Sequence, residues 1–126
     1  MLKKRPLISV IINCYNGEKF LKQCIKSVLS QTYKNWEIIF FDNNSSDQSV
    51  KILNSFRDKR IKFFNNKKRN HLKLYKARNL AINKANGEYI TFLDTDDMWK
   101  KNKLEKQIKL IAKDPDAKII YSYYLV

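Results

Sequence analysis

The chain has 126 residues, enough to bury a core but sized for a single domain. Its hydrophobic fraction of 44 % argues against wholesale disorder, and no apolar run approaches the roughly 18 residues that a membrane span requires. Lysine and arginine number 26 against 12 acids, a formal charge of +14. That excess favours anionic partners in general, whether nucleic acid, phosphorylated small molecules or an acidic membrane face, and chooses none of them.

The opening "MLKKRPLISVIINCYN" sets basic residues before an apolar stretch, as a secretory leader does. The stretch is only about seven residues long and no small-residue cleavage site follows it. We therefore read it as a first strand, over 7–13, in a protein that stays in the cytoplasm. From 18 to 30 the residues Leu21, Cys24, Ile25, Val28 and Leu29 recur at three- and four-residue spacing, the mark of an amphipathic helix. "WEIIFFD" (36–42) is a second strand. Ser45 or Ser46 is expected to cap a helix that buries Val50, Leu53 and Phe56. "IKFFN" (61–65) is a third strand, and "NKKRNHLK" (66–73) a cationic mobile loop.

A helix over 74–84 is expected to end at Asn86-Gly87, before a fourth strand, "EYITFLD" (88–94). Leu104, Ile108 and Ile111 share one face of a further helix, which "DPDA" stops. "KIIYSYYLV" (118–126) reads as a last strand. Alternation of this kind implies right-handed βαβ crossovers and a mainly parallel sheet sandwiched by helices, an α/β fold. Ligands of such sheets bind beyond the carboxyl ends of the strands. Three polar segments lie there, "NCYNG" (13–17), "DNNSSD" (42–47) and "DTDD" (94–97), and they should converge on one edge.

Three of the twelve acids gather in that last segment. If the strand continues through it, Asp94 and Asp96 point the same way and Thr95 the other. Paired carboxylates suit a hard divalent cation, Mg²⁺ or Mn²⁺, that completes its shell with water and phosphate oxygens. The competing reading is that these acids cap the helix after Met98-Trp99, where the helix dipole favours negative charge. Cys14 and Cys24 form no metal or disulfide pattern and are expected to be buried thiols. His71, the lone histidine, is expected to be a solvated loop residue, as is Lys73. With Gly17 and Gly87 the only glycines, no phosphate-cradling loop or dinucleotide fingerprint is present. No nucleic-acid motif is present either, so nucleic acid is not the expected partner.

The phrases "SVIINCYNGEKFLKQCIKSVLSQTYKNWEIIFFDNNSSD" and "KARNLAINKANGEYITFLDTDDMW" occur in the order and spacing of the family 2 glycosyltransferases, and the chain resembles that family over about residues 6–126. The resemblance implies a Rossmann-like GT-A fold, truncated here to its nucleotide-sugar-binding part, as one domain over 1–126. It implies a nucleotide-diphosphate-sugar donor, UDP-sugar above all. Cys14, Tyr15 and Asn16 match the turn that holds the nucleoside, and Asp42 and Asn43 the pair that recognises the base. Members with two acids place the base-contacting carboxylate where this chain has Asn43. An amide keeps an acceptor and donors for a pyrimidine edge but loses charge assistance, which leaves the base open. Asp94, Thr95 and Asp96 match the family's Asp-x-Asp, with Asp94 and Asp96 on the metal and Asp96 the principal contact. Arg78, in the Ala-Arg-Asn phrase, either approaches the nucleotide or pairs with nearby acids.

Family 2 enzymes that invert need a carboxylate base to deprotonate the acceptor hydroxyl, and in the family it lies well past the Asp-x-Asp turn. It is expected beyond Val126; Asp114 and Asp116 are not assigned the role. By resemblance the acceptor is a glycan or lipid-linked saccharide of bacterial surface polysaccharide synthesis. The cationic surface would favour peripheral contact with anionic lipid at the inner membrane. The alternative reading is a non-catalytic scaffold of the same fold, or a homodimerising partner, working through a sheet edge and its basic surface.

Overall fold

The computed structural model describes residues 5–67 and 70–122. Eight elements alternate: β1 (Ile8–Cys14), α1 (Glu18–Leu29), β2 (Trp36–Asp42), α2 (Ser49–Asn54), β3 (Ile61–Asn65), α3 (Leu74–Ile82), β4 (Tyr89–Phe92) and α4 (Lys103–Lys113). All four strands are parallel, in the order β3-β2-β1-β4. The two central strands, covered on both faces, carry the longest β-branched and aromatic runs, and every residue of β2 is buried. The edge strands are shorter and half exposed.

Helices lie on both faces. On one, Leu21, Cys24, Ile25 and Val28 of α1 and Leu104 and Ile108 of α4 pack with Val10, Ile12, Ile38 and Phe40. On the other, α3 contributes Ala77 and Ala81 to a smaller cluster with Ile11, Ile39 and Phe41. Alanines at these two positions let the helix backbone approach the sheet closely. Each large aliphatic side chain buried this way stabilises the fold by roughly 1.5–3 kcal/mol.

Polar side chains set how these layers join. Gln31, fully buried just past α1, donates from Nε2 to the Lys100 carbonyl at 2.8 Å and to that of Ser27 at 3.1 Å. Its Oε1 accepts from the Leu104 N–H at 3.1 Å. One amide thus ties the end of α1 to the start of α4. Replacing Gln31 with leucine should cost about 2–3 kcal/mol in urea unfolding, since three bonds are lost and buried backbone groups are orphaned. A loss below about 0.5 kcal/mol would refute this clamp.

Several expectations are corrected. The second helix begins at Ser49 with Gln48 at its cap, because Ser45 and Ser46 bond across to another turn; Phe56 lies past its end, though partly buried against the core. The turn 83–88 needs Gly87 for space, not for a left-handed backbone, as its φ is not positive. A Cβ there would lie 2.6 Å from both N and Oγ of Ser9. The last expected strand does not form over residues 118–122, where exposed Ile119 and Tyr121 find no strand to pair with; residues 123–126 lie outside the described residues. Lys68 and Arg69 of the cationic loop also lie outside them. No helix among the described residues is long and apolar enough to cross a membrane.

Candidate functional site

The chain runs from β1 outward to β2 and β3, then crosses back to place β4 on the other side of β1. Loops leaving β1 and β4 therefore diverge, and a crevice opens between them at the carboxyl end of the sheet. A cleft of about 480 Å³ lies there. The β1 side supplies Asn13, Tyr15, Asn16 and Gly17, and the β4 side Asp94, Thr95 and Asp96. Lys19 and Phe20 of α1 and Leu74 of α3 complete it.

The acidic segment is a turn, not an extension of the strand. β4 ends at Phe92, and the Asp97 N–H donates to the Asp94 carbonyl at 3.0 Å. The same carbonyl accepts from the buried Cys24 thiol at 3.4 Å. Strand alternation therefore does not align these acids; the turn gathers three of them. Oxygens of Asp94, Asp96 and Asp97 lie within 4.8 Å of one another, all three residues exposed. Nor do they cap a helix, since α4 starts only at Lys103 with Asn102 at its cap. Partial desolvation pushes the Asp97 carboxyl above its ordinary value, and the charges of Asp96 and Asp94 push it further the same way. Arg78 Nη2 meets Asp94 Oδ1 at 3.0 Å, which is the helix-holding alternative for that residue.

These donors fit a hard divalent cation. All are carboxylate oxygens, and the turn faces solvent, leaving room for water and phosphate oxygens in the shell. The buried sulfur that bonds the turn is no competitor: burial first, then the charge of Asp97, pushes the Cys24 thiol up to about 12. It stays a protonated donor to the turn.

The other two polar segments hold each other. Asn16, at φ 50°, accepts at Oδ1 from the Ser46 N–H (2.8 Å) and Asp47 N–H (3.3 Å), and its own N–H donates to Ser45 Oγ at 2.9 Å. The Gly17 N–H donates to Ser49 Oγ, and Glu18 and Asp47 exchange bonds with the opposite backbone through the Glu18 and Gln48 N–H groups. Asparagine tolerates the left-handed region better than most residues, which suits it to this position. Asn16 thus faces the cleft while much of its polar capacity serves the scaffold.

Of the sequence-predicted residues, Tyr15, Asn16, Asp94, Thr95 and Asp96 line one cleft, with Arg78 against Asp94. Cys14, Asp42 and Asn43 are buried and do not line it. The Cys14 thiol, raised by burial, sits 3.8 Å from Ser45 Oγ. Asp42 Oδ2 accepts from the Ser45 N–H at 3.1 Å, a turn-closing role. The Asn43 amide is not open to a base edge: Leu72 and Asn66 occupy it.

Sequence reasoning missed three groups. Asp97 is the third acid of the turn. Asn13 lines the cleft with both side-chain polar atoms buried and no partner for either among the described residues. Such orphaned groups are rare and call for an explanation. The signal available was a single amide ending an otherwise apolar strand. The third is His71, whose ring lies 4.1 Å from that of Tyr15, though the residue is exposed.

A parallel sheet with acids gathered at its switch point defines an α/β ligand-binding fold, and its family can be stated. The chain belongs to the family described as glycosyl transferase family 2, whose profile matches residues 9–126. Among curated relatives it is 41 % identical over 118 residues to the UDP-Glc:alpha-D-GlcNAc-diphosphoundecaprenol beta-1,3-glucosyltransferase WfgD of Escherichia coli, a match covering 94 % of this chain and 46 % of that one. Among solved structures it resembles S. aureus TarS 1-349 in complex with UDP-GlcNAc, with TM-score 0.79 and 30 % identity over 84 % of this chain and 31 % of that one. The mannosyltransferase PcManGT of Pyrobaculum calidifontis, solved with GDP-Man and Mn2+, shares the fold at TM-score 0.78 and 21 % identity, over 87 % of this chain and 33 % of that one. The chain spans about half the length, or less, of the curated relatives it matches.

Proposed function

We propose that this chain is the donor-binding domain of a glycosyltransferase and binds a UDP-sugar together with Mn²⁺ or Mg²⁺ in the cleft between β1 and β4. The observation that carries this is the composition of that cleft. One end offers an orphaned amide and a half-exposed aromatic ring, Asn13 and Tyr15; the other offers Asp94 and Asp96, whose turn adds a third clustered carboxylate, Asp97, just outside the lining. With a divalent cation between carboxylates and phosphates, a nucleoside diphosphate matches this arrangement, its aromatic base at one end and its anionic diphosphate at the other.

Each residue then has a task. Tyr15, 53 % exposed, presents a ring face on which a base can stack. Asn13 hydrogen-bonds the base or its ribose, which would satisfy its amide. Asp94, Asp96 and Asp97 hold the cation, with Asp96 the principal contact because Asp94 already shares its charge with Arg78. When bound, the metal neutralises charge on the diphosphate as it becomes the leaving group, a contribution of several kcal/mol in such sites. Asp114 and Asp116, past the end of α4, do not line the cleft, and neither is assigned the base of an inverting transfer.

The similarity to WfgD supports transfer to a lipid-linked acceptor in bacterial surface polysaccharide synthesis. The formal charge of +14 supports peripheral contact with the inner membrane. A scaffold or dimerising role has one observation in its favour, the exposed Ile90 and Phe92 on edge strand β4. Sedimentation equilibrium of the chain tests that second reading.

Titration calorimetry with UDP tests the first. With Mn²⁺ present, binding is expected in the micromolar range, about −8 kcal/mol. With EDTA it should weaken at least tenfold. No heat of binding, or affinity indifferent to EDTA, would sink the proposal.

A further inference from the structure

Asn43 stands where a base-reading carboxylate is expected, yet the residue is 5 % exposed and its side chain is committed elsewhere. Nδ2 donates to the Leu72 carbonyl at 2.7 Å. Oδ1 accepts from the Leu72 N–H at 3.0 Å and from Asn66 Nδ2 at 2.8 Å. The amide thus pairs with one backbone unit in both directions, as strands pair with each other. Its orientation is set by the Leu72 backbone, because a flipped amide would set its donors against the Leu72 N–H and its oxygen against the Leu72 carbonyl.

The adjoining backbone bonds extend the pin. The Asn43 N–H donates to the Cys14 carbonyl at 2.7 Å, and the Asn43 carbonyl faces His71 Nδ1 at 3.2 Å. A carbonyl can only accept, so Nδ1 carries the proton. The His71 ring is thereby set against Tyr15, tilted by 55° with centroids 4.1 Å apart. The chain then enters α3, which brings Leu74 to the cleft.

We propose that Asn43 is a positioning residue: it pins Leu72 and so sets His71 beside Tyr15 as a second aromatic group of the nucleoside subsite. The inference rests on the donor-site reading above and assigns two of its parts. Asparagine is required here where relatives can use an acid. An aspartate carboxylate would accept from Leu72 N–H and Asn66 but would face the Leu72 carbonyl as acceptor against acceptor.

The test compares the parent chain with Asn43→Asp and His71→Ala. Two readouts are used: amide hydrogen exchange at Leu72 without nucleotide, and calorimetry with UDP plus Mn²⁺. Asn43→Asp should speed Leu72 exchange about tenfold or more and weaken UDP binding by about tenfold. His71→Ala should weaken binding by roughly fivefold while Leu72 exchange stays within about threefold of the parent, since the Asn43–Leu72 bonds remain. Asn43→Asp that binds UDP as well as or better than the parent, or that weakens binding with Leu72 still protected, would return base reading to residue 43 and overturn the proposal. Unchanged affinity in His71→Ala would remove His71 from the subsite. If the parent itself failed to bind UDP with Mn²⁺, the donor-site reading and the role of His71 would both fall. The pin by Asn43 would still be decided by Leu72 exchange.

Discussion

Asp96→Ala is expected to lose UDP–Mn²⁺ binding by about 2 kcal/mol or more, roughly thirtyfold, with no loss of fold stability in the absence of metal. The magnitude is the low end for removing one partner of a close charge pair, chosen because the turn is open to solvent. Stability should be unaffected or slightly improved, since the deletion relieves repulsion among three carboxylates whose oxygens lie within 4.8 Å of one another. Asp94→Ala should cost less, because it also releases Arg78, a cation then able to approach the diphosphate and offset part of the weakened metal contact. The check is calorimetry at fixed Mn²⁺, paired with a thermal melt of the metal-free variant. Equal affinity for parent and Asp96→Ala would remove the metal role from the turn. A large drop in melting temperature would make it a structural feature instead.

The second large effect lies at the opposite end of the sheet, where Glu37 is only 3 % exposed. Its Oε1 accepts from Ser9 Oγ at 2.6 Å and from the Asn86 N–H at 2.7 Å; its Oε2 accepts from Lys62 Nζ at 2.6 Å. Ser9 Oγ in turn accepts from the Gly87 N–H at 2.8 Å. One buried carboxylate therefore joins β1, β2, β3 and the turn that starts β4. Glu37→Ala should cost about 3 kcal/mol in urea unfolding at pH 7, since it orphans the Ser9 and Asn86 donors, while the Lys62 ammonium, 42 % exposed, only loses its partner to water. Against a typical total of roughly 5–15 kcal/mol, that is a large share.

The same group predicts a pH dependence. Burial alone would raise the Glu37 carboxyl, but the bonds from Lys62, Ser9 and Asn86 outweigh it and hold the group below its ordinary 4.5. A carboxyl depressed in the fold contributes stability that is complete above its unfolded value and is lost as pH falls through the folded one. The gap between parent and Glu37→Ala should thus be widest near neutrality and shrink below about pH 4. Asp47 and Asp58 are depressed as well, so the variant keeps part of its acid sensitivity. A gap equal at pH 7 and pH 3 would refute the charged network.

Much of this was legible because local periodicity and burial share a cause. β1 and β2 lie inside the sheet, so both faces of each must be apolar, and their runs stand out in the chain. The amphipathic stripes of α1 and α4 are equally plain. The capping of α2 was not, because Ser45 and Ser46 are spent on Asn16, nearly thirty positions away, a pairing that no window of neighbours reveals. The segment 118–122 failed as a strand although its composition suits one: strand propensity needs a partner edge, and none pairs with it among the described residues.

By itself the sequence determined the alternation of strands and helices, the parallel sheet, the family, and which polar segments lie at the carboxyl ends. The family rests on the resemblance of whole phrases; the rest follows from side-chain pattern, which acts within a few residues. Only the tertiary structure decided that β4 returns beside β1 and opens the cleft there. It alone closed 94–97 into a turn, committed Asn43 to Leu72, set the His71 ring at a tilt against Tyr15 and left the Asn13 amide without a partner among the described residues. Each of these depends on directed hydrogen bonds or ring contacts between residues distant along the chain, or on a backbone turn. An asparagine free to read a base and one already paired are the same letter until the fold supplies the partner.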